Sequence, residues 1–343
     1  MRYKLLGRSG LRVSELGLGT MTFGEDWGWG ASASESRRIF DAYAGAGGNF
    51  IDTANRYTDG TSERLVGEFV AADRDHFVVA TKYTLFDREG DPNGAGNHRK
   101  NLMRSLEGSL RRLRLEYVDL LWVHAWDFMT PVDEVMRGLD DLVRDGKVLY
   151  VGISDTPAWI VSQANTLADL RGWSPFVALQ IEYSLVERTP ERELLPMARA
   201  LDLAVTPWGI LGSGVLTGKY NRNESPAEGR VRESRGQDPR MLRIAQEVVA
   251  VAREAACTPT QVAVSWVRSR PGVVIPLLGA RTLDQVKDNL DALNLTLGRE
   301  HLARLDEASA IDLGFPHEFL ERPHIRKLIY AGTRDIIDDH RTR

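Results

Sequence analysis

An α/β chain closed as a (β/α)8 barrel, the TIM-barrel architecture, is predicted by three observations. Eight short apolar runs rich in β-branched and aromatic residues recur along the 343 residues. Amphipathic stretches of helical periodicity stand between them. Short apolar strands flanked by helices are parallel strands covered on their outer face, and eight such units close a barrel.

The elements follow in order. YKLLGRSGLRVSEL reads as a β-hairpin ahead of the barrel, with Arg8, Ser9 and Gly10 as its turn. ELGLGT is the first barrel strand. SESRRIFDAYAGAG is a helix with half a cap in Ser34 and Arg37, and NFIDTA follows it. TSERLVGEFVAAD, opened by Thr61, Ser62 and Glu63, leads to FVVATKY. NHRKNLMRSLEGSLRRLRL leads to YVDLLWVH. PVDEVMRGLDDLVRDG, begun at Pro131 and stopped at Gly146, leads to VLYVGIS. PAWIVSQANTLADL, from Pro157, leads to FVALQIEY. PERELLPMARAL leads to LAVTPWG, and PTQVAVSWVRSR, from Pro259, leads to VVIPLLG. We expect one domain over residues 1–343, a barrel over about 16–295 and a C-terminal tail over about 310–343. The segment from Gly218 to Pro239, rich in Gly, Pro, Arg and Glu, reads as a loop.

Composition removes several function classes. At 43% hydrophobic and 27% charged the chain is of ordinary globular make-up, and a net charge of −4 gives no basic field for nucleic acid. The single cysteine, Cys257, sits in the apolar stretch VVAVAREAACTP and reads as a packed residue; it suits a reducing compartment, so a cytoplasmic setting is expected. MRYKLLGRSG lacks the apolar core of a signal peptide. No apolar run reaches the ~18 residues of a membrane span; LAVTPWGILGSGVLTG is broken by Pro207 and four glycines. A doubly wound sheet would want a glycine-rich phosphate turn after its first strand. Gly17 and Gly19 fit, but Thr22 stands in the third position and a long loop follows instead of a helix.

Barrel chemistry belongs at the C-terminal ends of the strands. There the sequence places Asp52 and Tyr57, Lys82, His124, Ser154 and Asp155, Gln180 and Tyr183, Trp208, then Gly279, Ala280 and Arg281. Each alone has a bland reading as a solvated or packed residue. Asp52, Tyr57, Lys82 and His124 together make chemical sense. A tyrosine with a pKa near ~10 is a weak acid in water, and a neighbouring ammonium is expected to lower that value. Asp52 can hold Lys82 charged, and His124 can bond a substrate oxygen. Such a set protonates a carbonyl oxygen while a nucleophile attacks the carbon. The sequence contains neither HExxH nor GxSxG, so no metal set and no serine nucleophile is expected, and a nicotinamide is the source of the hydride.

These residues lie in segments that resemble the aldo-keto reductases from Leu5 to about Ala308, through LGLGTMTFG, FIDTANRY…TSE, VVATK, DLLWVH, GLDDLVRDGKVLYVGIS, LQIEYSL, WGILGSGVLTGKY and LLGARTLDQVKDNL. The chain looks most like the longer bacterial and fungal members, relatives of the potassium-channel β subunits. The resemblance implies Asp52, Tyr57, Lys82 and His124 as the catalytic tetrad and NADPH or NADP+, in preference to NADH, as cofactor. It implies cofactor contacts from Gly19, Thr20 and Met21, from Asp52, and from Ser154, Asp155 and Gln180 at the carboxamide. Trp208 would stack on the ring. Gly209, Ile210, Leu211, Gly214 and Lys219 would meet the pyrophosphate. Gly279, Arg281, Gln285, Asp288 and Asn289 would hold the adenosine end. The turn LGAR is expected to open a helix with free N–H groups for an anion, and Arg281 to clamp a 2′-phosphate. Three departures stand out: Asp155 where many relatives have Asn, WGIL in place of an aromatic-Ser-Pro-Leu run, and Thr58 where Gly is common.

Trp27, Trp29, Phe86, Trp126 and Phe128 lie in loops on the tetrad's side, and of these Trp27, Phe86 and Trp126, with Tyr57 and His124, are the expected substrate contacts. The tail FPHEFLERPHIRKLIY either covers the pocket mouth or makes a subunit contact. Three functions remain open on this reading: an NADPH-dependent reductase of aldehydes or ketones, an NAD(P)+-linked sugar or alcohol dehydrogenase, and a nucleotide-sensing regulatory subunit like the channel β subunits.

Overall fold

The computed structural model describes residues 1–221 and 238–339. Strands β1 (Tyr3–Leu5) and β2 (Arg12–Ser14) pair antiparallel as the expected hairpin. Eight parallel strands follow: β3 (Gly17–Gly19), β4 (Phe50–Asp52), β5 (Val78–Tyr83), β6 (Val118–Val123), β7 (Val148–Ser154), β8 (Phe176–Glu182), β9 (Ala204–Trp208) and β10 (Leu277–Gly279). Each pairs with its neighbour in sequence, and β10 pairs with β3. The ring closes where Val205 N donates to Val273 O and Val205 O accepts from Ile275 N, at 2.7 and 2.8 Å. The fold is therefore a (β/α)8 TIM barrel with an N-terminal hairpin.

Helices α1 (Ala33–Gly45), α2 (Thr61–Val70), α3 (Arg99–Leu113), α4 (Val132–Arg144), α5 (Ala158–Arg171) and α6 (Leu194–Ala200) link the strands as far as β9. Between β9 and β10 lie α7 (Pro239–Glu254) and α8 (Pro259–Arg268), and after β10 come α9 (Leu283–Asp291) and α10 (Arg299–Ala308). Local chemistry sets their limits. In α4, Val135, Met136, Leu139 and Leu142 recur at three- and four-residue spacing and are buried; Asp133 and Glu134 start the helix and Arg144 ends it, each sign suited to its end of the helix dipole. Thr258 and Gln261 form a capping box at α8, with Pro259 in the first turn. One cap differs from expectation. Ser32, not Ser34, closes the start of α1 by accepting from Glu35 N, because the helix begins a residue before the apolar periodicity does.

Two apolar layers fill the molecule, and the two-residue period of the strands separates them. On β6, Leu121 and Val123 face the helices, while Leu120 and Trp122 face the barrel axis. Leu6 and Val13 of the hairpin join that inner layer with Phe50, Val78, Ala80, Ala178, Ala204 and Leu277, plugging the N-terminal mouth. Fully burying a side chain of this size contributes about 1.5–3 kcal/mol. Gly152 makes room for the largest of them: a Cβ there would stand 2.4 Å from the Trp122 ring.

Beyond α10 lie α11 (His317–Glu321) and α12 (Pro323–Tyr330). Residues 310–339 include no buried side chain. Arg192 donates to Asp312 O at 2.7 Å and His317 meets Glu193 at 3.0 Å, which ties the start of the tail to the segment before α6. None of these residues lines the cleft described below. Of the expected loop from Gly218 to Pro239, residues 222–237 lie outside the described residues. No helix among the described residues is long and apolar enough to cross a membrane.

Candidate active site

The inner-facing period continues upward from the core into the rim. Phe50 leads to Asp52, Val78 and Ala80 to Lys82, Leu120 and Trp122 to His124, Ala178 to Gln180 and Glu182, and Ala204 to Thr206 and Trp208. Polar residues thus replace apolar ones on the same side of the same strands. Parallel register then sets the pairs: Asp52 stands beside Ala80, and Lys82 beside Trp122. Lys82 Nζ donates to Asp52 Oδ2 at 2.5 Å and to Thr53 O at 2.8 Å. Gln180 Nε2 reaches Asp52 Oδ1 at 3.0 Å from across the barrel.

Tyr57 is brought back over this pair by a tight turn. Asn55 N bonds Lys82 O, and Asn55 Nδ2 bonds Leu85 O. Thr58, Asp59 and Gly60 then follow in left-handed backbone, with φ of 45, 52 and 88°. The Thr58 hydroxyl donates to Phe23 O at 2.6 Å and accepts from Ser62 N at 3.1 Å, which offsets the cost of a β-branched residue in that region. Arg56 pairs with Asp59 and lies over the rings of Phe86 and Trp27, at 4.6 and 5.8 Å from their centroids. The Lys82 ammonium stands 4.7 Å from the centroid of the Tyr57 ring, and His124 packs edge-on to that ring at 5.9 Å. The four residues share one rim.

Their protonation follows from burial and neighbours. Burial alone would strip Lys82 of its proton, but the charges of Asp52 and Tyr57 outweigh it and raise its pKa, so the ammonium persists. Burial, then the Lys82 charge, holds His124 well below the usual imidazole value, so it is neutral. Tyr57 corrects an expectation. Lys82 does pull the phenol down, but burial is the larger cause and Asp52 adds to it, and the net direction is upward.

The rim opens into a cleft of about 1480 Å³ lined by Gly19, Met21, Asp52, Tyr57, His124, Ser154, Asp155, Gln180, Trp208, Gly209, Gly279 and Arg281 of the expected set. An adjoining groove takes in Ile210, Leu211, Gly214, Gln285 and Asn289, and a further one Lys219 and Asp288. Thr20 does not face the cleft: its hydroxyl is buried, bonding Asp52 O at 3.0 Å and Ser62 Oγ at 2.8 Å. Tyr183 also points away, to Glu191 at 2.6 Å. Gln180 has its amide N–H committed to Asp52. Gly209 has φ of 70°, a conformation a serine there would rarely adopt.

The start of α9 corrects a second expectation. Leu283 N donates to Glu35 Oε1 at 2.6 Å, Arg281 N to Gln285 Oε1 at 2.8 Å and Gln285 N to Thr282 Oγ1 at 3.3 Å. These donors are satisfied, and a carboxylate already meets the helix start. The Arg281 side chain, with no ion pair among the described residues, is the cationic group at that end of the cleft. Of the expected substrate contacts, Trp27 lines the cleft and sits 5.7 Å from Trp29. Phe86 instead lies against Arg56, Trp126 packs on the core, and Phe128 points to solvent. Glu25, Arg56, Leu85, Glu182 and Ser213 line the cleft without having been singled out as contacts. Glu182, two residues beyond Gln180 on β8, was legible from the strand period.

The sequence profile described as the aldo/keto reductase family matches residues 15–310. A norsolorinic acid reductase of Aspergillus flavus is 40% identical over 92% of this chain and 83% of its own length. An aryl-alcohol dehydrogenase of Pestalotiopsis microspora is 40% identical over 93% and 85%. An aryl-alcohol dehydrogenase [NADP(+)] of Phanerodontia chrysosporium is 36% identical over 90% and 86%. With the profile covering most of its length and its barrel carrying polar groups from successive strands to one cleft, the chain belongs to the aldo/keto reductase family.

Proposed function

We propose that the protein is an NADP(H)-dependent oxidoreductase that reduces aldehydes or ketones, with aryl carbonyl compounds as its substrate class and Tyr57 as general acid. The observation that carries this is the junction of Tyr57, His124 and the buried Lys82–Asp52 pair at the foot of one long cleft. The residues fit a nicotinamide nucleotide. Ser154 Oγ and His124 Nδ1 are buried without a hydrogen-bond partner, beside Trp208, whose flat ring suits a stacking role. Gly19, Gly209 and Gly279 leave the wall open for close approach, and Arg281 offers a cation at the far end.

The bound nicotinamide supplies the hydride. Tyr57 Oη gives its proton to the carbonyl oxygen as negative charge builds there; its raised pKa keeps that proton in place at neutral pH. Lys82, held charged by Asp52, stabilises the phenolate left behind. Neutral His124 bonds the same oxygen and orients the carbonyl. Asp52 remains an acceptor, clasped by Lys82 and Gln180. The aryl preference draws on the names of the two aryl-alcohol dehydrogenases and on Trp27 and Trp29 in the cleft wall. A cytoplasmic setting accords with the single cysteine. The test is consumption of NADPH, and separately of NADH, with a panel of aromatic and aliphatic aldehydes, ketones and sugars. Turnover of aromatic carbonyls with NADPH is expected; no turnover across the panel would overturn the reading.

A further inference from the structure

Asp155 follows β7 directly, on the wall of the cleft that also holds Tyr57 and His124. Its backbone is left-handed, with φ of 40°, and its N–H donates to Gln180 O at 3.3 Å, so two strands fix its place. Its side chain is open to the cleft and lines it with Ser154, Gln180 and Trp208. The charged and titratable groups acting on it come from other elements: Lys82 on β5, Glu182 on β8 and Tyr57 in the turn after β4. Lys82 is already held by Asp52 at 2.5 Å, and no ion pair joins Asp155 to another described residue. Glu182 adds a second carboxylate to the same wall. Among the described residues Asp155 therefore stands on the cleft wall without an ion-pair partner of its own. The concave surroundings push the Asp155 carboxyl up to about 6; the Trp208 indole and Lys82 oppose the shift, and Glu182 reinforces it.

We propose that the Asp155 carboxylate favours the oxidised form of the cofactor, so that the ratio of NADP+ to NADPH affinity rises when Asp155 ionises. The inference rests on the cofactor reading above, in which the nicotinamide ring lies beside Ser154 and Trp208. That ring carries a positive charge when oxidised and none when reduced, and the rest of the nucleotide is the same. A fixed anion beside it thus acts on the difference between the two forms alone. By linkage, binding of NADP+ draws a proton off Asp155 and binding of NADPH does not. The sign follows. At a pH low enough for the carboxyl to be neutral in both complexes the two forms are treated alike; as pH rises toward the free value of about 6 the oxidised form gains, and above it the gain is complete. Titration of the nucleotide's own phosphate is common to both forms and cancels in the ratio.

The experiment is rapid titration of the whole protein with NADP+ and with NADPH, read by quenching of tryptophan fluorescence, from about pH 5 to pH 8. Wild type is compared with Asp155→Asn, a near-isosteric change that tolerates the left-handed backbone. Binding of 2′,5′-ADP, which lacks the nicotinamide, checks that the variant's adenosine end is intact. In wild type the affinity ratio is expected to move about fivefold toward NADP+ across this range, the part of a tenfold, one-unit coupling that falls above about pH 5. In Asp155→Asn it is expected to stay flat, at the wild-type acid value. A wild-type ratio that ignores pH, or a variant that follows wild type, overturns the proposal and leaves the cofactor reading standing. Failure of wild type to bind either nucleotide overturns both.

Discussion

Lys82 and Asp52 form an ion pair sealed from solvent: Nζ to Oδ2 is 2.5 Å, and the two side chains are 0% and 2% exposed. The pair links β4 to β5 at the depth where the inner apolar layer ends. Taking two charges out of water is costly, and the cost is offset here by Thr53 O on the ammonium and Gln180 on the carboxylate. Removing one partner leaves the other stranded. Lys82→Met is therefore expected to lose about 3–5 kcal/mol of stability in urea unfolding. Asp52→Asn added to it should recover part of that loss, since the amide oxygen can still accept from Gln180. A single variant within about 1 kcal/mol of wild type, the range of surface pairs, would show that the pair is not sealed.

The turn that returns Tyr57 makes its own prediction. Thr58 sits at φ 45° and its hydroxyl makes two hydrogen bonds, to Phe23 O and from Ser62 N. Thr58→Val keeps the strained shape and loses both bonds, at an expected cost of about 1–3 kcal/mol. Thr58→Gly loses the bonds but relieves about 1–2 kcal/mol of strain, so it should fall closer to wild type. Thermal or urea unfolding of the two variants checks the order, and Val at least as stable as Gly would contradict it.

Much of the architecture is legible in the sequence because a barrel repeats one physical unit. Strands with an inner and an outer face reveal themselves by period, and the same period carried past the apolar layer points to Asp52, Lys82, His124, Gln180 and Trp208 at the rim. Contacts made by distant segments are not legible in this way. Glu35 takes the Leu283 N–H at the start of α9 from 248 residues away, a contact the residue types near α9 do not reveal. The sign of the Tyr57 shift fails for a related reason. The residue types around it show Lys82, but how deeply the phenol is buried is a property of the folded molecule. Trp126 and Phe86 are aromatic residues in the right loops, yet packing on the core and against Arg56 takes them out of the cleft wall. Residue type alone does not distinguish them from Trp27.

In the proposed reading a 2′-phosphate is recognised by the Arg281 side chain, since Glu35 already meets the start of α9. Arg281→Ala is expected to weaken NADPH binding by about one to two orders of magnitude, the worth of charge-assisted hydrogen bonds, and to leave NADH nearly unchanged. Equilibrium binding of the two nucleotides to both proteins checks this. Equal losses for NADPH and NADH would assign Arg281 to the shape of the cleft instead of to the phosphate.

The central claim is that Tyr57 supplies the proton to the carbonyl oxygen. Tyr57→Phe keeps the ring that packs against His124 and under Lys82 and removes only the acidic hydroxyl. The direct measurement is the turnover of an aromatic aldehyde with NADPH by wild type and Tyr57→Phe, alongside the nucleotide dissociation constant of each. The account predicts that kcat falls by about 10²–10⁴ in the variant while nucleotide binding is unchanged. Wild-type turnover in Tyr57→Phe would contradict it.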